Sequence, residues 1–206
     1  MVWLDERTLL HQYNQLESVA NILHLVQEDV LKCLKSLDVS ISDCRSRRDE
    51  LLAKRHADTC TWFFADTKYR NWIDDDNNLL LWIPGAPGSG KSVLSAILTK
   101  EMASHGNLKN SYSEGSSVAY FFCKGTDERL RSDSAILKHL LAQVLEEDPW
   151  TFYHFENEPD YRKDRGKTNW TSGMLWRIFE QIWADSNLKP GRTWLIIDAI
   201  GIFYLD

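Results

Sequence analysis

From Leu9 to Leu37, apolar side chains recur every three or four positions, and charged or amide side chains stand between them. This spacing predicts an amphipathic helix with one apolar face. We expect a break at 38–40 and a second helix over 42–54. The apolar face comprises Leu9, Tyr13, Leu16, Ala20, Leu23, Val26, Val30, Leu34 and Leu37. Because the stripe is interrupted, a helical hairpin is favoured over a coiled-coil arm.

From residue 59 onwards, short apolar runs alternate with stretches of helical periodicity. An aromatic stretch over 59–73 predicts a short helix whose core contacts are Trp62, Phe63, Tyr69 and Trp72. Further elements are expected as strands over 79–83, 118–123 and 193–198, and as helices over 93–103, 133–148 and 171–184. The polar stretches 105–117 and 156–169 predict loops, the second of them mobile. This alternation indicates an α/β fold with a parallel sheet and flanking helices, preceded by the helical N-terminal segment.

The apolar run at 79–83 leads into a glycine-rich loop that opens directly into a helix. Its residues are Gly85, Ala86, Pro87, Gly88, Ser89, Gly90, Lys91 and Ser92, which match the Walker A pattern G-x-x-x-x-G-K-[ST] of a phosphate-binding loop (P-loop). Glycines let successive backbone N–H groups point at one anion, and the helix start adds its positive dipole end. We therefore expect this loop to bind a nucleoside triphosphate, ATP or GTP, with Lys91 on the β- and γ-phosphates.

The strand expected over 193–198 ends in Asp198, about a hundred residues after the loop. A carboxylate at the carboxyl end of such a strand orients Mg²⁺ and its waters in P-loop NTPases. We expect Ser92 and Asp198 to serve Mg²⁺, the aspartate through water molecules. The predicted cofactor is therefore Mg²⁺ together with ATP or GTP.

Composition narrows the choice of partners. The chain has 206 residues and a formal net charge of −6, which argues against a nucleic-acid partner. We find no basic-then-apolar leader and no apolar run of the ~20 residues needed to span a bilayer. The four cysteines, Cys33, Cys44, Cys60 and Cys123, form no C-x-x-C pair. A reducing, cytoplasmic location is the expectation.

Several separated motifs resemble those of fungal NACHT-type proteins, which are STAND-class P-loop ATPases also described as nephrocystin-like N-terminal domains. The matching stretches are 55–62 with Tyr69 and Trp72, 80–92, 120–125, the helix through His139 and Gln143, and 195–199. The resemblance covers roughly residues 30–199 and implies a partial NACHT-type NTPase domain, which we place over 55–206. The apolar periodicity before it predicts a helical N-terminal extension over 1–54. The resemblance also implies a nucleotide-dependent switch of the kind used in self/non-self recognition.

The sequence departs from the family pattern after Ala199. The family continues with Leu-Asp-Glu, whose acids help to position the attacking water, whereas this chain has Gly201 where an acid is expected. We therefore expect a domain truncated just after the Walker B strand, with weak or absent hydrolysis. Two alternatives remain open: a small P-loop kinase, and an interaction module that binds protein partners through its N-terminal helices and takes no nucleotide.

Overall fold

A computed structural model describes residues 25–74, 80–105, 117–123, 132–163, 168–185 and 193–198. Within these ranges the chain is mostly helical and contains a small parallel sheet. The helices are α1 (25–37), α2 (Ile41–Ala53), α3 (Thr61–Ala65), α4 (Thr67–Asp74), α5 (Lys91–His105), α6 (Asp133–Glu147), α7 (Phe152–Glu156), α8 (Pro159–Lys163) and α9 (Ser172–Ala184), with a 3₁₀ turn at Pro149–Thr151. The strands are β1 (Ser117–Phe122) and β2 (Thr193–Asp198).

Side-chain caps fix where several helices begin. The Ser40 hydroxyl accepts a hydrogen bond of 3.2 Å from the Asp43 N–H at the start of α2. Ser132 accepts one of 3.1 Å from Ala135 N–H at α6, and Thr171 accepts one of 3.4 Å from Met174 N–H at α9. Each cap satisfies a backbone donor that has no partner inside its helix.

β1 and β2 pair in parallel, in a register that places Ser117 opposite Thr193 and Phe122 opposite Asp198. Parallel strands need a crossover connection, and α6 and α9 lie between the two strands in the sequence. Described strands and helices are therefore consistent with the predicted α/β class.

The described residues fall into two compact units, Met1–Val39 with Leu141–Leu188, and Ser40–Leu140 with Lys189–Asp206. The sheet belongs to the second unit, where α5 packs against both strands. Its larger core cluster contains the buried side chains Phe63, Tyr69, Ile73, Leu94, Leu98, Met102 and Trp194. A neighbouring cluster contains Leu51, Ala96, Tyr120 and Phe122.

The unit that holds α1 and α9 has its own aromatic core. Trp170 is 4% exposed, stacks on Tyr161 at 5.5 Å between ring centroids, and meets Phe155 edge to face. The Trp170 indole N–H donates to the Ser36 hydroxyl at 3.1 Å, which ties the end of α1 to the residue before the α9 cap. Glu158 is also buried, and its carboxylate accepts from the Arg177 guanidinium at 2.5 Å.

Most predicted elements are confirmed, but three predictions are wrong. Residues 80–83 pair with no strand within the described ranges, although their burial alternates as in a strand, with Leu81 and Ile83 against the core. Trp62 is 65% exposed and makes no core anchor, because it lies on the outer side of the short helix α3. The segment predicted as mobile contains α8 and the buried Tyr161.

Some predictions fall outside the described ranges. These are the apolar face over 9–23, the start of the first predicted strand, most of the loop predicted at 105–117, and the residues after Asp198. The division predicted at residue 54 stays a prediction. In the described part of the chain, no helix is both long and apolar enough to cross a bilayer.

Candidate phosphate-binding loop

The glycine-rich loop joins residues 80–84 to the first turn of α5. Gly88 has a φ of 77° and Gly90 a φ of 88°, values in the left-handed region that side chains disfavour. Ser89, between the two glycines, donates its N–H to the Ala86 carbonyl at 3.2 Å. In the first turn of α5, Leu94 N–H donates to the Gly90 carbonyl at 2.9 Å. The two glycines thus let the chain reverse tightly and enter a helix without a break.

Lys91 is the first residue of α5, and its side chain turns back over the loop. Its Nζ atom donates to the Gly85 carbonyl at 2.6 Å and to the Ala86 carbonyl at 2.8 Å, and it lies 3.5 Å from Ser89 Oγ. The loop therefore curls around a cation that its own carbonyls hold. These carbonyl partners are not evident from the motif, because the sequence specifies the lysine but not the conformation it adopts.

Ser92 follows in the first turn of α5, where it is half-buried. The 15-residue helix directs its amino-terminal N–H groups toward the loop. Leu94 and Leu98 fix the helix against the core that contains Trp194. The start of α5 is consequently held by packing rather than by the loop alone.

Asp198 is the last residue of β2 and is 5% exposed. Its carbonyl accepts from Cys123 N–H at 3.4 Å, which extends the ladder with β1 by one residue. Both α5 and β2 belong to one compact unit, and Ile196 of β2 packs against the same core clusters as α5. The roles of Ser92 and Asp198 toward magnesium stay predictions.

A strained turn precedes α3, in the segment with which the family resemblance begins. Asp58 has a φ of 61° and Cys60 a φ of 64°, both in the left-handed region although neither residue is glycine. The His56 carbonyl holds this turn by accepting from Thr59 N–H at 3.2 Å and from Thr59 Oγ1 at 2.7 Å. No glycine marks this turn; aspartate tolerates the left-handed region, as at Asp58, whereas Cys60 is of a residue type that seldom occupies it.

Comparison with known proteins assigns the class. The described fold is consistent with the α/β class and contains a glycine-rich loop at the start of α5. The profile of the family described as nephrocystin 3, N-terminal, matches residues 58–201, which include the loop, both strands and Asp198. The chain belongs to this family.

A curated relative supports the same conclusion. The vegetative incompatibility protein HET-E-1 of Podospora anserina is 29% identical over 168 residues, which are 79% of this chain and 12% of that protein. Together the two matches support a nephrocystin-like, NACHT-related fungal domain. The chain thus corresponds to a small part of the relative's length. No solved structure matches.

Proposed function

We propose that this chain is a nucleotide-binding switch module that takes ATP or GTP with Mg²⁺ through the loop Gly85–Ser92. The observation that carries the proposal is the position of Lys91, whose ammonium group lies within 2.8 Å of two carbonyls of the loop. The positive charge of Lys91 therefore lies beside the backbone carbonyls of Gly85 and Ala86.

Electrostatics favours a polyphosphate over the loop carbonyls as the partner of this lysine. The bonds from Lys91 to Gly85 and Ala86 join an ammonium group to neutral carbonyls, whereas a phosphate oxygen carries negative charge and adds Coulombic attraction to the hydrogen bond. Phosphate oxygens can therefore displace the Gly85 and Ala86 carbonyls from the ammonium group. The backbone N–H groups at the start of α5 then add donors to the same anion.

The donor set at the loop fits magnesium. Mg²⁺ prefers hard oxygen ligands, and in nucleotide sites it takes one or two protein oxygens and completes its shell with phosphates and water. Ser92 offers a hydroxyl, and Asp198 offers a carboxylate at the carboxyl end of β2. When bound, the ion would neutralise charge on the β- and γ-phosphates.

The sequence beyond Asp198 supports a switch rather than a fast hydrolase. Ala199, Ile200 and Gly201 supply no carboxylate to orient an attacking water. Nucleotide binding with slow or absent turnover follows, and a long-lived bound state suits signalling. Because the relative carries the name of a vegetative incompatibility protein, we place the module in self/non-self recognition.

Calorimetric titration with Mg-ATP and Mg-GTP tests the proposal. Lys91→Ala removes the ammonium group, so we expect affinity to fall by about 10–100-fold, the usual effect of one charged hydrogen bond. Lys100→Ala is the matched control, because Lys100 is an exposed lysine of the same helix. Its affinity should equal that of the unmodified chain.

Two outcomes contradict the proposal. One is a folded chain that binds neither nucleotide, which would favour a helical interaction module. The other is equal binding by the Lys91→Ala and unmodified chains. The kinase alternative is tested by coupled assays with candidate phosphate acceptors. A phosphate-transfer turnover above about 1 s⁻¹ would favour the kinase over the switch module.

A further inference from the structure

Three aromatic side chains form a stripe along the outer side of α9. Trp176 is 47% exposed and Trp183 is 40% exposed, and Phe179 lies half-buried between them. The Phe179 and Trp183 rings stack at 4.1 Å between centroids, and Trp176 meets Phe179 edge to face at 5.3 Å. We call these three residues the aromatic stripe. Because each ring supports the next, the two indoles form one continuous apolar surface.

A different face of α9 fills the core of its unit. Met174, Leu175, Ile178 and Ile182 are buried there. At 3.6 residues per turn, the aromatic stripe lies about 120° around the helix axis from that face. Single exposed apolar residues are ordinary on a protein surface, whereas contiguous ones mark contact sites. The aromatic stripe is therefore a candidate interaction surface.

The charges on α9 narrow the class of partner. Arg177 and Glu180 are the only charged residues of this helix, which therefore carries no net charge. The Arg177 guanidinium already donates to Glu158, through Nε at 3.4 Å and through Nη2 at 2.5 Å. A membrane surface or a nucleic acid would need several basic side chains beside the exposed rings. The partner expected from these charges is a neutral, apolar protein surface.

The spacing of the aromatic stripe makes it complementary to a copy of itself. Its outer members lie three residues before and four residues after Phe179. If two α9 helices pack antiparallel about a two-fold axis next to Phe179, Trp176 of each copy faces Trp183 of the other. In such a pair each edge of a helix meets the same edge of its copy. Glu180 of each copy therefore comes beside Arg177 of the other, and opposite charges meet twice.

We propose that the aromatic stripe is the centre of a symmetric contact between two copies of this chain, with their α9 helices antiparallel. Tryptophan is among the residues that contribute most to such contacts. Two half-exposed indoles cover much less than the about 800 Å² per partner of a stable interface. The dimer is therefore weak, with a dissociation constant on the order of 10–100 μM. It requires no nucleotide and is separate from the proposed function.

Sedimentation equilibrium of the full chain without nucleotide, from about 2 to about 200 μM, tests the association. We expect the average mass to rise with concentration from one chain toward two. Changing both Trp176→Ala and Trp183→Ala should raise the dissociation constant at least about tenfold. Trp62→Ala is the matched control, because Trp62 is 65% exposed but belongs to α3. It should associate like the unmodified chain.

A charge variant tests the geometry without removing any packed ring. Glu180→Lys places a positive charge beside Arg177 of the other copy at two symmetric positions, so we expect the dissociation constant to rise about 3–10-fold at low salt. Gln181→Lys is the matched control. Gln181 is exposed and adjacent in sequence, but it lies on the side of α9 away from the aromatic stripe. Its variant should associate nearly as the unmodified chain does.

Cross-linking with a short bismaleimide reports the direction of the helices. We expect Glu180→Cys to give linked dimers, because antiparallel pairing brings the two copies of position 180 to nearly the same height. Ser172→Cys should give none, since its two copies stand about 22 Å apart along the axis, at 1.5 Å per residue. Peptide mass mapping separates these links from links through the native cysteines.

Three results overturn the proposal. The first is a chain that stays monomeric up to about 200 μM, which would assign the aromatic stripe to a different protein partner. The second is association that neither the double tryptophan variant nor Glu180→Lys weakens. The third is cross-linking of Ser172→Cys as efficient as that of Glu180→Cys, which would indicate parallel helices.

Discussion

The ammonium group of Lys91 donates a 2.6 Å hydrogen bond to the carbonyl oxygen of Gly85, six residues earlier in the chain. This bond and the one to Ala86 close the loop over its own lysine. Binding of a triphosphate would therefore exchange acceptors around a cation that is already in position. This exchange would require little movement of the first turn of α5, because Leu94 and Leu98 pack that helix against the core.

Lys91→Ala should separate binding from stability. The carbonyls it leaves are exposed and can be hydrated, so we expect the free energy of unfolding to change by less than about 0.5 kcal/mol. Chemical denaturation without nucleotide measures this change. A large loss of stability would mean that the lysine is mainly structural, and the binding defect would then have another cause.

Gly90→Ala should destabilise the chain by about 1 kcal/mol, because a φ of 88° places the new side chain in the left-handed region. Atomic crowding does not contribute, since no atom lies within 4 Å of the added Cβ. Thermal or urea unfolding measures the effect.

Gly173→Ala is the matched comparison for Gly90→Ala. Gly173 lies in the first turn of α9, and its added Cβ would meet only Arg177 at an ordinary 3.8 Å. Because alanine is the better helix former, we expect a gain of about 0.5–1 kcal/mol. Similar changes in stability at both positions would contradict the assigned loop conformation.

Local patterns predicted most helices and both strands, because caps and hydrophobic periods act over a few residues. The strand predicted at 79–83 shows the limit of this information. The alternating burial of Leu81 and Ile83 agrees with the pattern, but strand pairing depends on a neighbour distant in the sequence. The residues of 79–83 do not indicate which distant segment, if any, would pair with them.

Charge content was misleading at 156–169 for a related reason. Glu158 and Arg162 make the stretch look solvated, yet Glu158 is buried against Arg177, 19 residues away. Tyr161 is buried beside Trp170. At the candidate site, the motif predicted which residues form the loop, but the Lys91–Gly85 bond depends on side-chain conformation.

Trp170→Ala should destabilise the chain by about 3–5 kcal/mol, the usual loss for a buried tryptophan. The change removes the stack on Tyr161 and the hydrogen bond to Ser36. Trp82→Ala is the control, since Trp82 is 64% exposed and should lose less than about 0.5 kcal/mol. Equal losses at the two positions would argue against an ordered core around α8.

Thiol labelling should distinguish the cysteines. Burial raises the pKa of Cys33 to about 12 and that of Cys44 to about 11, so both stay protonated near neutral pH. Cys60 is half-exposed at the strained turn before α3. With iodoacetamide at about pH 8, we expect Cys60 to react first and Cys33 last. Peptide mapping of a time course measures the order, and early modification of Cys33 would contradict the packing of α1.

Stability should fall in acid partly because of His139. Its ring is buried, lies edge to face with Phe121 at 5.1 Å, and has Nδ1 2.8 Å from the Ala135 carbonyl. Burial lowers the pKa of His139 from 6.5, and Lys138 lowers it further, whereas the Ala135 carbonyl and Asp43 oppose the shift. The unfolded chain consequently binds a proton at higher pH than the folded chain does. Above pH 6.5, His139 is neutral in the folded and in the unfolded chain. As the pH falls from 6.5 to the pKa of His139 in the folded chain, protonation of the unfolded chain progressively lowers the free energy of unfolding.

His139→Gln removes this titration, so we expect the free energy of unfolding to depend less on pH between about 7 and 5. One proton limits the difference in slope to about 1.4 kcal/mol per pH unit. Urea unfolding at several pH values measures the slope for the unmodified chain and for His139→Gln. An unchanged slope in His139→Gln would mean that protonation of His139 does not oppose folding, and that the ring reaches solvent in the folded chain.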